Sequence, residues 1–247
     1  MKTFSITEAI KSGWATFKLN KGVLVSTSLV VLILFVLQSY QKKDFFRFDS
    51  QLLIWAVIFI VGIVIQSGYF KILLKISNGQ QATFGEMFGY FNLFWKYFKL
   101  SVLMVIITII PSIFGLVIVL LLSMSYLPIF LMPIIAVVGL VLYILFSLYV
   151  GLRLPFSFLI LIDKEVGPIA ALKESARITK DMKWNIFCLI FALGFIQLLG
   201  FVVLGVGVLV SFPVSMLAMI YVYRVLSKSV VLETPVTVIQ NNPQSIV

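Results

Sequence analysis

The chain has 247 residues, 62% of them hydrophobic and 11% charged, with a formal net charge of +10. Soluble domains are about a quarter charged and under half apolar. Here several uncharged runs reach about 20 residues, the length that crosses a hydrocarbon core, so the composition points to a polytopic helical membrane protein. Continuous apolar runs, rather than short alternating segments, argue against a membrane β-barrel. There is no histidine and a single cysteine, Cys188. That excludes disulfides within the chain, Cys/His metal clusters, and Ser-His-Asp or Cys-His catalysis, and no cofactor is implied. Cys188 lies in an apolar run and reads as a small packing residue.

The charge is distributed unevenly. Four Lys and Arg precede the first expected span and three lie in the first loop. Four fall between spans two and three, six between spans four and five, and two after the last. With six spans and a cytoplasmic N-terminus, 16 of the 19 basic residues are inside. Cytoplasmic loops collect Lys and Arg in this way. Charge beside anionic headgroups calls for no nucleic-acid partner.

In chain order, residues 4–20 predict a short amphipathic helix in the inner interface. Ile6, Ile10, Gly13, Trp14 and Phe17 share one face, while Glu8, Lys11, Ser12 and Lys18 fall elsewhere. No signal peptide is expected, because the apolar run starts at Gly22 and no small-residue cleavage pattern follows it. Span one is residues 22–40, followed by an outer aromatic turn over 41–50. Span two is 51–71, with Lys71 and Lys75 at its inner end and Ser77, Asn78 and Gly79 as turn chemistry.

Residues 83–99 are the most amphipathic stretch. Phe84, Met87, Phe88, Phe91, Phe94, Trp95 and Phe98 share one face, and Glu86, Asn92, Lys96 and Lys99 the other. This period predicts an in-plane helix at the inner leaflet; a helix packed under the bundle and a partner groove are the other readings. Span three is 100–122, with a kink expected at Pro111. A short outer turn over 123–126 leads to span four, 129–151, with Pro128 and Pro133 near its start. Apolar character resumes past Arg153 and Pro155 to Ile162. A straight helix over that whole length would run about 50 Å at 1.5 Å per residue, so a bend is expected near Pro155. Residues 167–184 predict a charged helix. Span five (185–204), a glycine turn (205–207) and span six (208–226, containing Pro213) follow, with Arg224 and Lys228 at the inner end. The tail, 233–247, is expected to be disordered.

The chain also resembles itself. An offset of 78 pairs Glu8 with Glu86, Phe17 with Trp95 and Lys18 with Lys96. An offset of 162 pairs Ala9 with Ala171, Lys11 with Lys173 and Lys18 with Lys180. The expectation is an all-α, six-span single domain (1–232) made of three pseudo-repeats, 4–76, 82–162 and 167–232. Each would be a cytoplasmic amphipathic helix followed by a hairpin.

No ionisable residue lies inside an expected span. Arg153 and Arg224 sit at inner boundaries, where arginine snorkels. Gln38, Gln66 and Gln197 read as interhelical hydrogen bonders. In the 167–184 segment, Lys173, Glu174, Arg177, Lys180 and Asp181 occupy one arc of a helix. Arg153, Lys173, Arg177 and Lys180 are therefore the candidate contacts for an anionic lipid phosphate. The competing reading is a solvated face with intrahelical pairing, Glu174 to Arg177 among others.

Several features then point to a family. They are Arg153 and Pro155, the run GPIAALKESARITK leading to Lys183 and Trp184, the glycine-rich end of span five, and Pro213 with Tyr221 or Tyr223. EAIKSGWATFKLN near the N-terminus is a further likeness. On these residues the chain resembles the YciC-like family of bacterial inner-membrane proteins. It is also similar to the membrane domain associated with some glycerophosphodiester phosphodiesterases. The resemblance implies a six-span integral membrane protein with no assigned activity. The phosphodiesterase label belongs to a separate soluble barrel that uses histidine and carboxylates around a metal, so it does not transfer as catalysis.

The expected function is a non-enzymatic protein of the bacterial cytoplasmic (inner) membrane, with both termini cytoplasmic. It would serve membrane or envelope homeostasis by binding membrane lipids or another membrane protein. The alternatives are a transporter or transport accessory for a small or amphipathic molecule, and immunity to a membrane-active peptide.

Overall fold

The computed structural model describes residues 4–39, 51–124, 132–202 and 207–233. The expected turns over 41–50 and 123–126, most of the 205–207 turn and the 233–247 tail lie wholly or largely outside those residues. Among the described residues the regular structure is entirely helical. Nine α-helices form: α1 (Ile6–Leu19), α2 (Lys21–Ser39), α3 (Gln51–Ser77), α4 (Phe94–Met124), α5 (Met132–Arg153), α6 (Ser157–Lys164), α7 (Pro168–Ile178), α8 (Lys183–Val202) and α9 (Val208–Glu233). Among the described residues, five stretches are long and apolar enough to cross a membrane: Val57–Ser77, Phe84–Pro111, Val137–Lys164, Lys183–Val202 and Val208–Lys228. A sixth is added if α1 and α2, bent by 101°, count as one broken span. The chain is thus an all-helical, membrane-embedded protein.

The local chemistry of α1 accounts for its bounds. The Ser5 hydroxyl accepts from the Glu8 N–H at 3.3 Å, and the Asn20 amide donates to the Thr16 carbonyl at 3.2 Å where the helix stops. Ala9, Gly13 and Phe17 form a buried stripe against α9. A Cβ on Gly13 would lie 2.7 Å from the Val214 carbonyl oxygen, so the glycine is what lets the two backbones meet. The helix expected in the interface is therefore also core, with Trp14 left 44% exposed on its flank.

Residues 83–99 depart from the single helix expected. Two short 3-10 turns, Phe84–Phe88 and Phe91–Leu93, precede α4, which starts at Phe94 and continues through Pro111. The cause is Gly68 in α3. Its missing Cβ admits the Met87 carbonyl so closely that any side chain there would overlap it. Met87 is fully buried, and the backbone turns to place it. Glu86 accepts from the Thr83 N–H and hydroxyl, both at 3.3 Å, and fixes the entry.

The bend expected near Pro155 is present as a break: α5 ends at Arg153 and α6 starts at Ser157. Pro168 occupies the first turn of α7, where its missing N–H costs nothing. Buried side chains concentrate around one end of the bundle: Leu24, most of Ile63 to Ile76, Met87, Leu100, Phe156, Ile160, Ile178, Ile186 and Leu226. Away from it, Val36 and Leu37 on α2, Val138, Val141 and Leu145 on α5, and Leu198, Leu199 and Phe201 on α8 are exposed. Gln197 bonds between helices as expected, accepting from Ser211 on α9 at 2.7 Å.

Candidate functional site: the charged end of the bundle

α4, α6 and α9 pack against α7, and the end of α5 reaches it through Arg153. At the α5–α6 break, backbone groups lose their helical partners. The i, i+4 pair of Ser175 on α7 and Thr179 at its C-cap supplies replacements. Ser175 Oγ accepts from the Phe156 N–H at 3.3 Å and donates to the Arg153 carbonyl at 3.2 Å. Thr179 Oγ1 lies 3.1 Å from the same carbonyl and 2.9 Å from the Ser175 carbonyl, and shares its one proton between them. Arg153 returns the contact, donating from Nη1 to the Ala176 carbonyl at 2.7 Å. Both hydroxyl residues are fully buried. The SARIT portion of the family-like run is therefore a clasp that holds α7 across the break.

Salt bridges and caps tie the remaining ends. Lys71 on α3 donates to the Glu165 carboxylate at 2.9 Å and to the Ile162 carbonyl at 3.3 Å. Lys96 on α4 donates to the Glu165 carbonyl. Glu165 is held at φ 51° as the left-handed cap of α6, a conformation that a residue with a Cβ rarely takes unassisted. The hydrogen bond from Lys71, with the charges of Lys71 and Lys96, holds its carboxyl below the ordinary glutamate range. Lys75 pairs with Glu86 at 2.6 Å. Tyr223 donates to Asp163 at 2.8 Å. Arg224 donates from Nη1 to the Ser77 carbonyl at 2.9 Å and from Nη2 to the Leu74 carbonyl at 3.2 Å, which caps α3.

The four residues expected to contact lipid separate into two kinds. Arg153 is spent on the clasp. Arg177 forms two hydrogen bonds to Glu174, at 2.9 and 3.0 Å, the intrahelical pairing foreseen as the competing reading. Lys164 joins that carboxylate at 3.2 Å. Burial raises the Glu174 carboxyl, but Arg177 and Lys164 outweigh it and hold the group below its ordinary value. Lys173 and Lys180 are exposed and have no side-chain partner among the described residues. Beside them Lys183 lies 5.1 Å from the Tyr149 ring centroid, and Trp184 is 73% exposed and stacks on Phe187. Sequence reasoning missed Ser175 and Thr179, whose buried i, i+4 spacing was the available signal, and the capping role of Arg224.

Among the described residues no group of three His, Cys, Asp or Glu side chains is placed to hold a metal ion. No family model, curated protein or solved structure matches the chain.

Proposed function

We propose that this chain is a six-span protein of a bacterial cytoplasmic membrane, related to the YciC-like proteins, with its charged end and both termini in the cytoplasm. It acts without catalysis, by binding anionic lipid or a partner membrane protein at that end, in membrane or envelope homeostasis. The observation that carries the reading is the sorting of cations at one end of an apolar bundle. Seven cations there (Lys71, Lys75, Lys96, Arg153, Lys164, Arg177 and Arg224) bond oxygens of the chain, while Lys173 on α7 and Lys180 just beyond its end are exposed near the interfacial aromatics Trp184 and Phe187. Such lysines add about 1 kcal/mol each of attraction to an anionic leaflet. A relation between the first and third pseudo-repeats is supported by α1 and α7, but not one to the middle copy, where Phe91 and Trp95 stand exposed at the matching positions. At the 162-residue offset, Ala9, Gly13 and Phe17 correspond to Ala171, Ser175 and Thr179, and all six are buried.

The transport reading is the alternative. A flank cavity of about 380 Å³, lined by Ile10, Trp14, Ile196, Leu199 and Val210 among others, suits an acyl chain better than a polar solute. That chemistry favours lipid binding.

Single cysteines in a Cys188→Ser background test the orientation. Lys173→Cys and Lys180→Cys are expected to label from the cytoplasm and Lys43→Cys from outside. External labelling of Lys173→Cys refutes the topology. Replacing Lys173 and Lys180 together with glutamine is expected to lower co-purified phosphatidylglycerol without unfolding the chain, and unchanged lipid content reduces both lysines to a solvated face.

A further inference from the structure

A second cavity opens at the charged end, between α1, the last turn of α3 and α9. It encloses about 220 Å³ and is lined by Ser12, Thr16, Ser77, Tyr221, Arg224 and Lys228, with Leu217 and Val225 as its apolar wall. This is smaller than the roughly 300–1,000 Å³ of sites for drug-sized ligands, and its lining is richer in hydrogen-bond donors. Two cations line it and no carboxylate does. Arg224 spends two N–H groups on the Ser77 and Leu74 carbonyls and retains three. Those two bonds also fix the plane of the guanidinium. The Lys228 ammonium and the hydroxyls of Ser12, Thr16 and Tyr221 have no hydrogen-bond partner among the described residues. Lysines elsewhere at this end, such as Lys71 and Lys75, are neutralised by carboxylates.

One plane-fixed arginine, one exposed lysine, three unspent hydroxyls and a volume of this size match one ligand chemistry. We propose that the cavity binds a phosphate group, carried by the headgroup of an anionic lipid whose chains leave past Leu217 and Val225. Arg224 supplies a planar, pre-oriented fork, the geometry that recognises phosphate oxygens. Lys228 supplies a mobile point charge, and Ser12 and Thr16, one turn apart on α1, donate from the opposite wall. The cavity depends on α1 packing against α9, so the stripe Ala9, Gly13 and Phe17 sets its width. This deepens the lipid-binding reading by giving it a site distinct from Lys173 and Lys180.

The test uses the full chain in detergent. Native mass spectrometry follows added phosphatidylglycerol against phosphatidylcholine, and calorimetry follows inorganic phosphate. The variants are Lys228→Gln and the pair Ser12→Ala with Thr16→Ala, none of which touches the α3 cap; Arg224→Gln is added only where it folds. Retention of phosphatidylglycerol over phosphatidylcholine, falling about tenfold in both variants, is the expected result. Binding of inorganic phosphate alone, lost in the same variants, upholds the phosphate site and overturns its lipid source. Phosphatidylglycerol retention unchanged in these variants but lost on replacing Lys173 and Lys180 overturns the site and leaves the lipid-binding reading standing. No preference for phosphatidylglycerol and no phosphate binding by the unaltered chain overturns both.

Discussion

Ser175 and Ser157 make a matched pair for asking whether the clasp stabilises the fold. Both are serines, both are fully buried, and both flank the α5–α6 break. Ser175 Oγ bonds the Phe156 N–H and the Arg153 carbonyl, whereas Ser157 Oγ has no partner among the described residues. Ser175→Ala orphans the Phe156 N–H, which has no other acceptor, in a fully buried site. An unsatisfied buried donor costs about 1–3 kcal/mol. For a chain of this size each kcal/mol moves the midpoint by about 2–4 °C, so a fall of roughly 2–12 °C is expected. Thr179→Val removes one hydroxyl but orphans nothing. The Arg153 carbonyl keeps Ser175, and the Ser175 carbonyl keeps the Thr179 N–H at 3.2 Å. Its cost should be below about 1 kcal/mol. Ser157→Ala removes an unpartnered buried hydroxyl and should leave stability unchanged or raised. The assay is thermal unfolding in detergent micelles, read by a thiol-reactive fluorophore at Cys188, the only thiol in the chain. If Ser175→Ala unfolds no earlier than Thr179→Val and Ser157→Ala, the clasp does not hold α7 and the reasoning fails.

Close backbone approach makes a second test. A Cβ at Gly68 would overlap the Met87 carbonyl and one at Gly13 would sit 2.7 Å from the Val214 carbonyl, while nothing lies within 4 Å at Gly194. Gly68→Ala and Gly13→Ala should each destabilise by about 1–3 kcal/mol, and Gly194→Ala should be neutral or stabilise by up to about 1 kcal/mol through helix propensity; equal effects at all three would refute the packing. The Glu165 pair gives a pH dependence. Lys71 lowers the Glu165 carboxyl, so its contribution is fully present above the unfolded-state value and is lost as pH falls through the folded one. Glu165→Gln should therefore unfold earlier than the unaltered chain at neutral pH, by a small margin because the carboxylate is 49% exposed, and the two should converge in acid. A gap that persists or widens at low pH would contradict the assignment.

The membrane class, the helical content and the break at Pro155 were legible because each follows from composition or from one residue's covalent geometry. The Glu174–Arg177 pair was legible because helical spacing alone brings the two together. The clasp was not. Ser175 shares the buried arc of α7 with Ala171 and Ile178, and spacing does not say which foreign backbone atoms a small hydroxyl will meet. The 83–99 stretch misled for a related reason. Its 3.6-residue period is real, but Gly68 on another helix offers a recess for the Met87 backbone, and that tertiary contact overrides the local preference. Arg224 reads as an arginine reaching for the interface until the end of α3 is placed beside it.

Counting charges by side says where cations gather and not what they do there. At this end Arg153, Arg177 and Arg224 all donate to a carboxylate or to carbonyls, and Lys71, Lys75, Lys96 and Lys164 all meet oxygens of the chain. The arginines carry the fixed geometry, as expected of a planar group with several donors. What is left over is lysine: Lys11, Lys21, Lys99, Lys173 and Lys180 on open surface, and Lys228, also exposed, at the rim of the cavity beside Arg224. Those two settings act on a phosphate differently. Open lysines attract through a field that salt screens over about 8–10 Å. A phosphate seated between Lys228 and a plane-fixed Arg224 keeps direct hydrogen bonds that screening weakens far less. On the proposed reading, the two settings would make two physically separable kinds of lipid contact, and the cavity would be the one in which arrangement, rather than amount of charge, sets the affinity.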